Sequence, residues 1–520
     1  MTSILLTTLN ARFTHCAFGL RYLLANLGDL VGHAAIEEFT IAQNPREIVE
    51  KILKHQPSIV GFGVYIWNTI QTREVIAILK QLRPNVKIVL GGPEVSHETR
   101  AQPICQLADL TIQGEADDLF RLVCQEYLET GVWPAENVLF GPLPDVKTIR
   151  MPYRLYTDSD IQNRILYVEA SRGCPYKCEY CLSSLDKSVR SFDTDAFLLE
   201  MASLIQRGGR QFKFVDRTFN LSIATSVKIL QFFLDHSALG LFIHFEMVPD
   251  RLPLELRELI RLFPPGALQF EIGIQTWNPE VARLVSRRLD RNKTSENFTF
   301  LTQSTGVHLH ADLIAGLPGE TLESFATGFD AVAALRPHEI QVGILKRLRG
   351  TSISRHDESW GMRYQDTAPY TVIQTGAMSF ENLQDVTRFS NFWNLIANSG
   401  NFVKTSALLR ELSERRLSPS FFWQFWELME FLNTRHSQGH GISLIHLVES
   451  IWEYLKGKPE LELERVRLAL IEDYTRPTSR DVPRFLHAFF KPEAAAHPQA
   501  KGSVSALPKR QRRHMPSQGT

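Results

Sequence analysis

The chain has 520 residues, more than one ordinary hydrophobic core supports, so two or three domains are expected. It is 44% apolar and 22% charged, the usage of a globular protein, and no apolar run reaches the roughly 18 residues of a membrane span. Its 57 Lys and Arg balance its 57 Asp and Glu, which argues against nucleic acid as a partner of the whole surface.

In chain order, residues 3–8 open on a strand-like run with no basic segment or small-residue cleavage site before them. No signal peptide is read, and the cytoplasm is the expected compartment. Residues 18–27 have helical apolar spacing. Residues 45–55 predict a second helix, with Asn44 as its N-cap and Pro45 at its first position. Residues 58–65 predict a buried strand, 70–82 a helix and 87–90 a strand ending in Gly91-Gly92-Pro93. Residues 111–113 predict another strand, ending in Gly114-Glu115. This alternation predicts an α/β domain with a doubly wound parallel sheet, which binds ligands at the C-terminal ends of its strands. Gly61, Gly63, Gly91, Gly92 and Gly114 fall at those ends. Either they let a ligand approach the backbone or they only serve tight turns.

Residues 134–152 contain four prolines and little periodicity, and read as a linker. Strand candidates follow at 165–169, 211–215, 241–247, 268–274, 307–314 and 339–345, with helical stretches between them. Six such strands predict a partial or complete (β/α) barrel. From about residue 359 strand signals fade, and the aromatic run from Phe421 to Leu432 has the helical spacing of a core. From about Ala494 the chain is rich in Ala, Pro, Ser, Lys and Arg and is expected to be a disordered tail. Its basic run, Lys509 to His514, reads as solvated, with contact to RNA or an acidic partner as the alternative. The expected domains are 1–135 (Rossmann-like), 136–160 (linker), 161–358 (barrel), 359–493 (helical) and 494–520 (basic tail).

Six cysteines are present. Three crowd into Cys174-x3-Cys178-x2-Cys181, just after the strand candidate at 165–169, while Cys16, Cys105 and Cys124 stand alone as expected core residues. Clustered thiolates in a cytosolic chain suit an iron–sulfur cluster. Three ligands on four irons leave one iron open to a substrate or cofactor. Zinc is the alternative, but it would want a fourth ligand, and no other Cys or His lies between Leu182 and Asp235.

The segment Ser171-Arg-Gly-Cys174-Pro-Tyr-Lys-Cys178-Glu-Tyr-Cys181 resembles the radical S-adenosylmethionine (SAM) superfamily. Three further segments agree: Phe214-Val-Asp216-Arg-Thr-Phe-Asn220, Glu271-Ile-Gly-Ile-Gln275, and Asp312-Leu-Ile-Ala-Gly316-Leu-Pro-Gly-Glu320. The resemblance implies a [4Fe–4S] cluster on Cys174, Cys178 and Cys181. It implies SAM contacts from Asp216, Glu271, Gln275, Asp312 and Gly316, and reductive cleavage of SAM to a 5′-deoxyadenosyl radical. Arg172, Lys177 and Arg217 are left between function and surface charge.

An α/β domain before such a barrel resembles the B12-binding subgroup. That implies cobalamin at Gly61, Gly63, Gly91, Gly92, Pro93, Gly114 and Glu115. The D-x-H-x-x-G motif that places His on cobalt elsewhere is absent, and His15 reads as a helix-entry residue. The C-terminal part resembles a domain of unknown function, DUF4080. The implied activity is methylation or rearrangement of a small-molecule substrate, with flavodoxin or ferredoxin as electron donor and no membrane partner. The alternatives are a methylthiotransferase acting on tRNA, which would need a second cluster, and a non-catalytic cobalamin or redox sensor. No catalytic residue is assigned.

Overall fold

In the computed structural model the described residues are 2–436, 441–475 and 508–514. They fall in two units: 1–232 with 346–355 and 364–371, and 233–345 with 356–363 and 372–520.

In the first unit the apolar runs become six parallel strands: β1 (Ile4–Asn10), β2 (Ala34–Thr40), β3 (Ile59–Gly63), β4 (Lys87–Gly91), β5 (Leu110–Gly114) and β6 (Val138–Gly141). Their order is β2-β1-β3-β4-β5-β6. Alternation along each strand feeds two cores. Leu5, Leu9, Phe62 and Leu90 pack on the helices Pro45–Lys54 and Thr69–Leu82. Ile4, Leu6, Val89 and Ile112 pack with Leu20 of the helix Phe18–Ala25 and Phe120 of the helix Asp117–Thr130. Helices on both faces of a parallel sheet make the doubly wound architecture. The helix Pro45–Lys54 starts as expected: the Asn44 side chain accepts from the Arg46 amide at 2.9 Å, a cap worth about 1 kcal/mol.

Two strands of this sheet have no counterpart in the sequence expectation, and both are its edges. In β2 two glutamates break the apolar run, and most of its residues are only half-buried. The strand β6 lies inside the expected linker and exposes Phe140. An edge strand buries less than a central one, so its apolar signal is weaker.

The first unit continues with β7 (Leu166–Val168), β8 (Ser171–Arg172), β9 (Arg190–Ser191) and β10 (Gln211–Phe214). Strand β7 pairs in parallel with β10, and β8 pairs with β9 in the antiparallel sense. The segments 346–355 and 364–371, expected at the end of the barrel and start of the helical domain, belong to this unit. Arg349 and Tyr370 explain why: the Tyr370 hydroxyl donates to buried Glu94 at 2.6 Å, and Arg349 pairs with Glu94 at 3.1 Å and Glu98 at 2.6 Å.

The second unit holds four parallel strands, β11 (Phe242–Met247), β12 (Leu268–Gln275), β13 (His308–Ala315) and β14 (Glu339–Ile344), each paired with the next. Helices follow at Phe380–Ile396, Val403–Glu414, Phe421–Arg435, Leu444–Leu455 and Leu463–Thr475. The aromatic run is core: Phe422 stacks on Phe389 at 4.6 Å and meets Phe329 edge-on at 5.6 Å. Within the tail expected to be disordered, Lys509–His514 forms a short helix. It is held because Arg510 ion-pairs with buried Glu339 at 2.9 Å and donates to the Asn398 carbonyl. The rest of the tail and residues 476–493 lie outside the described residues. Among the described residues no helix is long and apolar enough to cross a membrane.

Removing the Phe422 ring leaves a hole in this aromatic core. Phe422→Ala is expected to cost about 3–5 kcal/mol in denaturant titration. Leu417→Ala, at a fully exposed position, is expected to stay within about 0.5 kcal/mol of the parent.

Candidate functional site

The cysteine loop follows β7 directly. Its entry is held from below by Asp216, just past β10, whose buried carboxylate accepts from the Ala170 amide at 3.0 Å and the Ser171 hydroxyl at 2.6 Å. Burial pushes this carboxyl up to about 7. Asp216, expected among the SAM contacts, is thus engaged by the loop. At Gly173 a Cβ would stand 2.0 Å from the Ser188 carbonyl oxygen, so no other residue fits. The Cys174 amide donates to the Asp186 carbonyl at 2.9 Å. Cys174 and Cys178 are buried and Cys181 is half-buried. The Cys174 thiol is raised by burial, with the neighbouring Cys181 and Cys178 adding to it. Among the described residues no three His, Cys, Asp or Glu side chains converge as a single metal ion requires. Thiolates that each take a separate corner of a cubane need no such convergence.

Arg172 is not a surface charge. Its Nη1 pairs with Glu115 at 2.6 Å and Asp117 at 3.1 Å, its Nε with Glu169 at 2.9 Å, and its guanidinium lies 4.5 Å from the Tyr22 ring centre. Arg190 completes the network, pairing with Glu115 and with Asp186 at 2.9 Å. Glu115 and Asp117 flank the end of β5, so the network ties the α/β sheet to the cysteine loop. Sequence reading missed Glu169, Asp117, Asp186 and Arg190, because no local pattern marks them.

A cavity of about 430 Å³ opens where these parts meet. Of the residues grouped in the sequence as cobalamin contacts, Gly61, Gly63, Gly91, Gly92, Gly114 and Glu115 line it and Pro93 does not. From the other side it is walled by Ser171, Arg172, Gly173 and Asp186, the residues that flank and position Cys174. The glycines divide into two kinds. Gly92 and Gly114 have φ of +108° and +79°, and a Cβ on either would strike a carbonyl oxygen, so the strand-end turns require them. Gly91 has nothing nearer than 4.0 Å to its would-be Cβ, and Gly63 only ordinary contacts, so turn geometry does not explain them. Their bare backbone faces a ligand-sized space. The Glu115 carboxylate is spent on the two arginines. Among the described residues no His, Cys, Met or Lys lines the cavity, and the His15 ring bonds the Tyr167 hydroxyl instead.

In the second unit the period of two puts Glu271, Gly273 and Gln275 of β12 on one face, beside His310 and Asp312 of β13. His244 pairs with Glu271 at 2.9 Å and His310 with Asp312 at 3.3 Å. Burial works against a proton on His310, but the bond and charge of Asp312 outweigh it and raise its pKa. The alternation His-x-His-x-Asp in β13 is the signal that would have found His310. At Gly316 the space a Cβ would need is taken by Val372 and Leu383, so this glycine serves the turn after β13. Glu320, buried behind that turn, accepts from the Thr276 hydroxyl at 2.6 Å. The remaining thiols are inert core: burial raises Cys105 and pushes Cys16 and Cys124 up to about 12.

Comparison with known proteins agrees with this geometry. Family models match in three consecutive stretches: the B12 binding domain over residues 4–123, the radical SAM superfamily over 168–330, and DUF4080 over 358–512. The fold and the cysteine loop define a radical SAM protein. The chain carries a B12-binding domain, a radical SAM domain and a DUF4080 domain in that order. It is similar to an uncharacterised methyltransferase of Pyrococcus horikoshii, 25% identical over 53% of this chain and 64% of the relative. It is also similar to the cobalamin-dependent radical SAM methyltransferase TokK of Streptomyces tokunonensis, 22% identical over 81% of this chain and 65% of the relative. The chain thus spans just under two thirds of the length of these curated relatives. Among solved structures, the cobalamin-dependent SAM radical enzyme OxsB shares the fold, with a TM-score of 0.61 at 11% identity over 91% of this chain and 83% of that one.

The cofactors of such a chain are a [4Fe–4S] cluster, SAM and cobalamin, and the residues present fit them. Three thiols on one loop suit the cluster, and a cavity walled by apolar side chains and bare strand ends suits a corrin. Among the described residues that wall offers a corrin no imidazole.

Glu320 generates a pH test. Burial pushes its carboxyl from an ordinary 4.5 up to about 7, so the folded state holds the proton more tightly than the unfolded state. Its contribution to stability is therefore present below about pH 4.5 and is lost as pH rises toward 7. Glu320→Gln, which mimics the protonated acid, is expected to flatten the fall in Tm over that window.

Proposed function

We propose that this chain is an anaerobic, B12-dependent radical SAM enzyme that methylates or rearranges a small-molecule substrate in the cytoplasm, with flavodoxin or ferredoxin as electron donor. The observation that carries this reading is the shared wall of the cavity. Strand-end glycines of the B12-binding domain form one side, and the residues flanking Cys174 form the other. In this class the cluster delivers an electron to SAM, and cobalamin can carry a methyl group.

The chain's own residues would act as follows. Cys174, Cys178 and Cys181 hold the cluster, and Gly173, Asp186 and Asp216 shape their loop. Gly63 and Gly91 let a flat cofactor lie against backbone. Phe18, Leu20, Leu23 and Leu90 exclude water from it. Glu271, Gln275 and Asp312 offer hydrogen-bonding groups of the kind that hold ribose hydroxyls and an ammonium, and charge-assisted bonds of that type are the strong ones. The name of TokK favours methyl transfer over rearrangement. Methylthiotransfer needs a second cluster, and Cys16, Cys105 and Cys124 sit in separate buried places.

Reduced with dithionite, the reconstituted protein is expected to form 5′-deoxyadenosine from SAM, and Cys178→Ala to fall to background. Wild-type rates in that variant would overturn the cluster assignment.

A further inference from the structure

A second cavity, of about 500 Å³, lies wholly in the second unit, where the chain enters β14 at Pro337, His338 and Ile340. Gln275 and Gly316 mark the C-terminal ends of the neighbouring strands, where barrel chemistry sits. This cavity is at the opposite end of the same strands. Its size is that of a small-molecule site.

Two guanidiniums and two carboxylates, Glu411 and Glu414, line it. Arg336 and Arg410 both line it, and Arg410 feels the charge of Arg336 as well as burial, which together lower its pKa despite Glu414 and Asp330. Among the described residues neither guanidinium has a carboxylate within ion-pair distance. Arg410 lies instead over the Phe421 ring at 4.4 Å. Glu411, on the same wall, is already taken by Arg415 and by Arg465 at 2.8 Å. Two like charges held near each other cost free energy until an anion joins them. Other donors stand beside them. The Nδ1 of His338 accepts from the Leu309 amide at 3.0 Å, so the neutral ring carries its proton on Nε2. Among the described residues the indole N–H of Trp393 and the hydroxyl of Ser406, two more wall residues, have no hydrogen-bond partner. Trp393, Phe421 and Ile340 supply an apolar surface.

We propose that this cavity binds a small organic oxyanion, a carboxylate or phosphate ester on an aromatic or aliphatic body, between Arg336 and Arg410. Paired guanidiniums match the planar oxygens of such groups in a way a single ammonium does not. The site is separate from the cluster and corrin cavity, and its ligand acts as a recognition or effector molecule.

The test is equilibrium dialysis of the full chain, reconstituted with its cofactors, against phenylacetate, phenyl phosphate and the uncharged phenylacetamide. At least one anion is expected to bind saturably, with the amide at least about tenfold weaker. The tighter anion assigns the group as carboxylate or phosphate. Arg336→Gln and Arg410→Gln are each expected to weaken that anion about tenfold. Arg336 is exposed, so its variant keeps the test intact if Arg410→Gln fails to fold. No saturable binding of either anion at millimolar concentration, equal affinity for the amide, or unchanged affinity in Arg336→Gln would overturn the proposal. Dialysis reads binding alone, so its failure is distinct from failure of SAM cleavage.

Discussion

An arginine held by three carboxylates decides where the cysteine loop stands. Arg172 meets three carboxylates, two from the end of the B12-binding sheet and one from the turn after β7. Taking such charges out of water is costly, and only close, multiple pairing offsets it. Loss of the arginine would leave Glu115 to Arg190 but take the ion-pair partner from Asp117 and Glu169, and a buried charge that loses its partner costs about 3–5 kcal/mol. Because Arg172 is two residues from Cys174, the same bonds set where the thiol sits relative to β5. Its fork reaches carboxylates on two sides at once, which a lysine cannot do.

The cavity follows from that constraint. A doubly wound sheet leaves a crevice beyond the C-terminal ends of its strands, and its glycines keep that crevice open. The clamp brings the cysteine loop over the crevice, so a group bound there would lie within a few residues of Cys174. Asp216 and Gly173 then fix the loop's backbone from below. In the second unit the same strand logic produces a polar face, with His244 holding Glu271 and His310 holding Asp312.

Much of this was legible in the sequence, for physical reasons. Central strands are apolar runs, Asn44-Pro45 announces a helix start, and three thiols in eight residues announce a cluster. The edge strands β2 and β6 were not legible, because half-buried strands lack a continuous apolar run. The Arg172–Glu115 bond spans 57 residues and the Arg349–Glu94 bond 255, and no local pattern encodes pairings at such separations. For the same reason the place of segments 346–355 and 364–371 in the first unit could not be read. Gly91 and Gly92 look alike in sequence. Only the position a Cβ would occupy separates Gly92, which a turn requires, from Gly91, which no turn requires.

The central claim is that one cavity brings the corrin and the cluster loop together. Its most direct test is the visible spectrum of protein reconstituted anaerobically with iron, sulfide and hydroxocobalamin and then desalted. Retained corrin bands beside the cluster absorbance are the predicted result. Cluster absorbance with the corrin washed away would contradict the claim and leave the N-terminal sheet as a scaffold.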